Sequence, residues 1–345
     1  LNVADVAGYC EQSPEDWARA AETAIVGCVC ALREKGLSAN RIRAISIDGT
    51  SGTIVPLDAT FAPLTNGIMY NDPRAKKEAA IVHAAMSAHE KKLGLRFGAS
   101  FSLSRILYLM RNEPEIYEKT RVFAHQADYI AGLLTGEFSV SDDSNALKTG
   151  FDPIARRWGE GIEKLGIDLK KLPFVVRSGE AFARVNASAA ARFGLSEGTP
   201  VVGGATDGTA SAIAAGAVRV GRWASIIGTT FVLKGVTREL VIDPNGSSYS
   251  HRLPGGEWLL GGAGKTPWLE APIHFAYGCN TTVGDHFYSN FNLTIVDDVS
   301  VTIGNCVMCA PNVTISTTGH PVHPYYRTRG AHFSLPIVIE DNVWI

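Results

Sequence analysis

An aspartate at the end of a strand-like run can accept the proton of an alcohol, and Asp207 is placed that way. It follows Val201-Val202-Gly203-Gly204-Ala205-Thr206 and precedes the small-residue run Thr209 to Ala217, a pattern that predicts strand, acidic turn and tightly packed helix. A second strand-like segment then closes on Gly228-Thr229-Thr230, whose backbone N–H groups and hydroxyls suit a phosphate. A base and a phosphate turn together predict phosphoryl transfer to an alcohol. The same aspartate also reads as a plain helix N-cap.

Two further clusters suit a ligand rich in hydroxyls. Gly49-Thr50-Ser51-Gly52-Thr53 lies between the strand patterns Arg43 to Asp48 and Thr53 to Asp58, and reads either as a ligand rim or as a hairpin turn. Tyr70-Asn71-Asp72-Pro73-Arg74 crowds a phenol, an amide, a carboxylate and a guanidinium before a helix start. Sugar hydroxyls both donate and accept, and such a set can serve them; it can equally be a capped helix start with solvated charges. Gly261 to Thr266 imitates a phosphate loop, but Leu259 stands where a Walker motif needs glycine, so the segment reads as a glycine turn. Cys306-Val307-Met308-Cys309 has no second pair and no histidine at metal spacing, and no metal site is expected.

The elements that must hold these groups follow from local pattern. Ser13-Pro14-Glu15-Asp16 opens a helix expected to reach Glu34. Amphipathic helices fill roughly 74 to 134, Ser141 to Asn145 reads as a polar loop, and the alternation of strands and helices indicates an α/β domain. Strand-like segments follow at Phe231 to Gly235, Ser247 to His251 and Trp258 to Leu260. Beyond Pro267 the helical period stops. Aliphatic residues recur at six-residue steps, Ile303, Cys309 and Ile315 in one row and Val301, Val307 and Val313 in another, the mark of a parallel β-helix. Gly319 to Pro324 breaks that rhythm as a protruding loop with two histidines.

Composition narrows the partners. The 345 residues carry 32 basic and 34 acidic side chains with no basic run, which argues against nucleic acid. No apolar stretch approaches the roughly 20 residues of a membrane helix, and no signal pattern opens the chain. Six scattered cysteines are expected as reduced thiols in a cytoplasmic protein. Leu1 is not expected to be the natural start.

Two resemblances emerge from these motifs. From about Tyr9 to Gly264, EQSPEDW, SIDGTSGTIVPLD, MYNDPRA, HQADYIAGLLTGE, DDSNALKTGFDP, GGATDGTASAIAAGA and SIIGTTFVLKG occur in the order seen in FGGY carbohydrate kinases of the ribulokinase and xylulokinase branch. That resemblance implies a ribonuclease-H-like, actin-type fold and phosphorylation of a ketopentose with ATP and Mg²⁺. It casts Asp207 as the base, Gly228, Thr229 and Thr230 as phosphate contacts, and Ser51, Tyr70 and Asp72 as sugar-site residues. From about 267 to 345, WLEAPIHFAYG, NFNLTIVDDVSVTIGN, APNVTISTTGHPVHP and PIVIEDNVWI resemble a maltose or galactoside O-acetyltransferase. This second resemblance implies a left-handed β-helix that forms homotrimers and binds acetyl-CoA. His320 would be its base, with Asn290 and Asp298 at the acceptor and Trp344 near the coenzyme.

The two patterns meet within Lys265 to Trp268 without a polar linker, which leads us to expect a fusion of two incomplete parts. The expected organisation is a kinase N-terminal domain over 1–218, the start of a second kinase domain over 219–265, and a partial left-handed β-helix over 266–345. Little turnover is expected of either half. A non-catalytic sugar-binding module is the remaining alternative.

Overall fold

A computed structural model describes the chain except for residues 1–2, 5–7, 228–229, 244–247 and 266–267, and without the side chains of 3–4, 227, 230–231, 263–265 and 268. It divides into two compact units, one of residues 1–224 with 234–262 and one of residues 225–233 with 263–345.

The first unit is built on two sheets that share the Gly49 to Thr53 corner. Ile45–Gly49 runs parallel to Pro200–Thr206, which pairs antiparallel with Ala181–Arg184 on its other side. Ile54–Leu57 belongs elsewhere, antiparallel to Val122–His125 and to Gly67–Ile68. The hairpin reading of the corner is therefore corrected. Its two strands do not pair with each other, because the turn carries the chain from one sheet to the next. Backbone crowding explains the glycines of the Asp207 strand: a Cβ at Gly204 would lie 1.8 Å from the Ile47 carbonyl oxygen and one at Gly203 2.4 Å from that of Arg177.

Helices close these sheets. Pro14–Glu34 has proline in its first turn with Glu15 and Asp16 facing the positive end of the dipole, and it spans the predicted range. It buries Trp17, whose ring leaves no room for a side chain at Gly67; a Cβ there would stand 2.0 Å away. Ser102–Asn112 buries Leu103, Ile106, Leu107 and Leu109 against Phe97, Phe101 and Phe123. Each such side chain contributes about 1.5–3 kcal/mol on leaving water. In the other half of the unit, Ser248–Arg252 and Trp258–Lys265 form an antiparallel pair, with Gly261 opposite Tyr249. Gly261 is thus a strand residue and not part of a turn.

The second unit is a coil of short parallel strands. Trp268, Tyr288 and Met308 lie in register on one face, Ile273 and Leu293 begin another, and Thr281 and Val301 a third, so each coil advances by twenty residues. Ile303, Cys309, Ile315, Val301 and Val307 are all buried in its core. His286, Asn292, Cys306, Asn312 and Asn342 adopt left-handed φ angles of 55–63°. Asn292 and Asn312 stack one coil apart, joined by a 2.9 Å side-chain hydrogen bond. An excursion, Thr318–Gly319 paired antiparallel with Phe333–Ser334, delays the next strand, so that Val301 pairs with Ile337. No helix among the described residues is long and apolar enough to cross a membrane.

Candidate active site

Parallel pairing puts two of the expected groups on one edge. Thr206 is in register with Gly49, so Asp207 and the Thr50-Ser51 turn leave neighbouring strands at the same carboxyl-terminal level, where ligands bind in α/β sheets. The N-cap of the helix Asp207–Ala214 is Thr206, so the plain-cap reading of Asp207 is corrected. Asp207 is the first helical residue and its side chain is exposed, and among the described residues Oδ1 accepts only from the Gly208 N–H at 2.7 Å. A carboxylate so placed keeps acceptor capacity for an incoming hydroxyl.

The turn beside it is tightly organised. Thr50 donates from its N–H and its hydroxyl to Gln126 Oε1, each at 2.9 Å, and Thr53 Oγ1 accepts from the Tyr70 N–H at 3.2 Å. Ser51 Oγ is buried yet finds no hydrogen-bond partner among the described residues. Such an orphan is uncommon, because an unmet buried hydroxyl is costly.

Arg105, which sequence reading missed, ties the two polyol clusters together. Fully buried, it donates from Nη1 to the carbonyl oxygens of Gly52 at 2.7 Å and Ser100 at 3.1 Å, and from Nη2 to that of Tyr70 at 2.6 Å. Burial pulls its pKa down to about 10, which still leaves it charged at neutral pH. Tyr70 is half exposed. Asp72, in contrast, is buried with both oxygens occupied: it accepts from the Arg74 N–H and Nε, each at 2.9 Å, from Arg74 Nη2 at 2.8 Å, and from the Cys10 N–H at 2.7 Å. Burial raises its pKa, but these donors outweigh it and hold the carboxyl below the usual range. In this structure Asp72 shapes the loop that presents Tyr70, with no acceptor left for a sugar.

The segment Ser141 to Asn145, read as a polar loop, is buried. Its Ser144 and Asn145 side chains answer backbone groups of the Asp207 strand. Asp142 accepts from the N–H groups of Ser144 and Asn145, the Asn145 amide donates to the Ala205 carbonyl at 3.1 Å, and Ser144 Oγ accepts from the Thr206 N–H at 3.1 Å. Burial, with repulsion from Asp128, lifts Asp142 to about 6. Ser144 also meets Nδ1 of the buried His251 at 3.2 Å, and burial beside Lys234 and Lys148 keeps that imidazole neutral. Lys148 lies over the rings of Phe101 and Tyr249, 5.3 and 5.7 Å from their centroids.

Of the expected phosphate contacts, Gly228 and Thr229 lie outside the described residues, as does the side chain of Thr230. In the coil, His320 is exposed and its Nδ1 lies 2.9 Å from the Ala331 carbonyl oxygen, which can only accept, so Nδ1 carries the proton and Nε2 is left as a base. Asp298 accepts from the Thr318 hydroxyl, and Thr318 also meets Ser334 at 2.8 Å. Asn290 Oδ1 is taken by the Phe291 N–H, and Trp344 is largely exposed. The structure therefore brings Ser51 and Asp207 to one edge, and in the coil it bonds Asp298 to Thr318, two residues before His320.

Residues 3–214 match the FGGY family of carbohydrate kinases, N-terminal domain. The xylulose kinase of Bacillus subtilis is 30% identical over 240 residues, covering 69% of this chain and 47% of its own length. The structure of xylulose kinase from Rhodospirillum rubrum aligns with a TM-score of 0.70 at 27% identity, over 76% of this chain and 54% of that one. Over 82 residues, the galactoside O-acetyltransferase of Escherichia coli is 57% identical, covering 24% of this chain and 40% of its own length. The chain thus spans about half the length of the xylulose kinases it matches.

Proposed function

The chain belongs to the FGGY family of carbohydrate kinases, and from that membership we propose that its first unit serves the ATP-dependent phosphorylation of a ketopentose, D-xylulose or D-ribulose. The observation that carries this is the exposed Asp207 on the same strand edge as the Ser51 turn. Asp207 takes the proton of the sugar hydroxyl as its oxygen attacks the terminal phosphorus of ATP, and the bond to ADP breaks. The unpartnered Ser51 hydroxyl and the exposed Tyr70 phenol face the sugar, while Arg105 and Asp72 fix the loops that bear them. Mg²⁺, which would be carried mainly by the phosphates of ATP, would offset their charge when bound.

A coupled ADP assay with both ketoses checks this reading. Asp207→Asn should lower turnover by about 10²–10⁴-fold with ketose affinity retained. Equal turnover in the variant would refute the base, and ketose affinity without any turnover would favour a sugar-binding module.

A second reading is supported by the twenty-residue parallel coil together with the 57% identity to an O-acetyltransferase. Here residues 268–345 form part of a left-handed β-helix of the sugar O-acetyltransferase kind, a homotrimer using acetyl-CoA, with His320 Nε2 as base, Asn290 and Asp298 at the acceptor and Trp344 toward the coenzyme. The chain is then a fusion of two family fragments. Acetyl-CoA consumption with a galactoside that His320→Ala abolishes would support it; consumption unchanged in that variant would remove it.

A further inference from the structure

Lys234 is buried, 7% exposed, and no hydrogen bond or ion pair reaches its ammonium among the described residues. Its stem runs in a slot kept open by two glycines. A Cβ at Gly261 would meet its Cγ at 3.2 Å, and one at Gly208 would meet its Nζ at 3.3 Å. Gly208 is the second residue of the helix Asp207–Ala214, so the ammonium lies against the turn that presents the base. The charged groups around it are Asp207, which favours its charge, and Lys148, which opposes it; His251 is neutral. Burial dominates and draws the amine down to about 8.

A buried cation is ordinarily paired, and Asp207 stands close enough to act on this one without forming an ion pair. An anion held between the lysine and the positive end of the helix would supply that pairing. We propose that Lys234 and the opening turn of the helix Asp207–Ala214 form a seat for the phosphoryl oxyanion next to the hydroxyl that Asp207 deprotonates. The inference rests on the phosphoryl-transfer reading and adds the residue that receives the charge of the group in flight. Asp207 gains the hydroxyl proton, the new P–O bond forms to the sugar, the old one to ADP breaks, and Lys234 keeps its proton while hydrogen-bonding a non-bridging oxygen.

Competitive acetylation of the full chain with acetic anhydride at pH 8, read lysine by lysine by peptide mass spectrometry, tests it without any variant. Inorganic phosphate at about 10 mM should slow labelling of Lys234 at least about fivefold against a chloride control of equal ionic strength, with surface lysines changed less than about twofold. Calorimetry should show phosphate affinity reduced at least about tenfold in Lys234→Met. Labelling of Lys234 that ignores phosphate, or falls equally at every lysine, overturns the seat. The two ideas fail separately: a chain that binds and turns over ketose while phosphate leaves Lys234 unprotected keeps the kinase and loses the seat. Protection of Lys234 in a chain indifferent to ketoses does the reverse.

Discussion

Arg105 donates to the carbonyl oxygen of Gly52 at 2.7 Å and, with its other terminal nitrogen, to that of Tyr70 at 2.6 Å. One buried guanidinium thus fixes the distance between the turn that carries Ser51 and the loop that carries Tyr70. Gly52 must be glycine for this, since its φ is +90° and a Cβ would stand 2.5 Å from the Ser100 carbonyl oxygen. The loops that meet a sugar in the proposed function are therefore held by carbonyl contacts to a helix residue.

Arg105→Met is expected to leave those carbonyls without donors and to cost about 3–5 kcal/mol in denaturant unfolding. Arg105→Lys should recover part of the stability, because an ammonium cannot span the same fork. Ketose affinity by calorimetry should fall at least about tenfold in Arg105→Lys even where the fold is retained. Unaltered affinity in that variant would show that the two loops need no common clamp.

How far sequence reading reached depends on whether a group's role is local. The helix from Pro14, the strands at Ile45 and Ile54, and the six-residue rows of the coil follow from spacing alone, because proline, acids and aliphatic period act on neighbouring residues. The hairpin misreading of Gly49 to Thr53 arose because nothing in a turn says which distant strand each arm will join. Ser141 to Asn145 looked solvated because its backbone partners, Ala205 and Thr206, are about sixty residues away. Arg105 and Lys234 did leave a signal, each a lone cation inside an apolar run, SRILYLM and FVLKGV. Only packing reveals that these two are buried.

Lys234 also makes a prediction about stability. An unperturbed lysine titrates near 10.4, and this one at about 8. Below pH 8 it is charged in both the folded and unfolded chain, and the folded state bears the full cost of the buried charge. Between pH 8 and 10.4 the folded form sheds the proton first, and the cost fades as pH rises. Lys234→Met should therefore be more stable than the parent at pH 7, by up to about 3 kcal/mol, with the difference shrinking toward pH 10. Urea unfolding of both proteins at the two pH values measures it. A variant less stable at pH 7 would mean that the ammonium is already satisfied in the free protein.

The glycine pair before Asp207 makes the last prediction. A side chain at Gly204 would press on the Ile47 carbonyl from 1.8 Å, and the only relief is to move apart the strands whose registry sets Asp207 beside the Ser51 turn. At Gly208 a Cβ would meet only the flexible end of Lys234, at 3.3 Å. Gly204→Ala is thus expected to destabilise by more than about 3 kcal/mol or to prevent folding, whereas Gly208→Ala should fold normally and disturb the lysine seat alone. Circular dichroism and thermal unfolding separate the outcomes: a stable, cooperative Gly204→Ala protein would mean that the Asp207 and Ile47 strands lie farther apart than described, and the shared strand edge would lose its support.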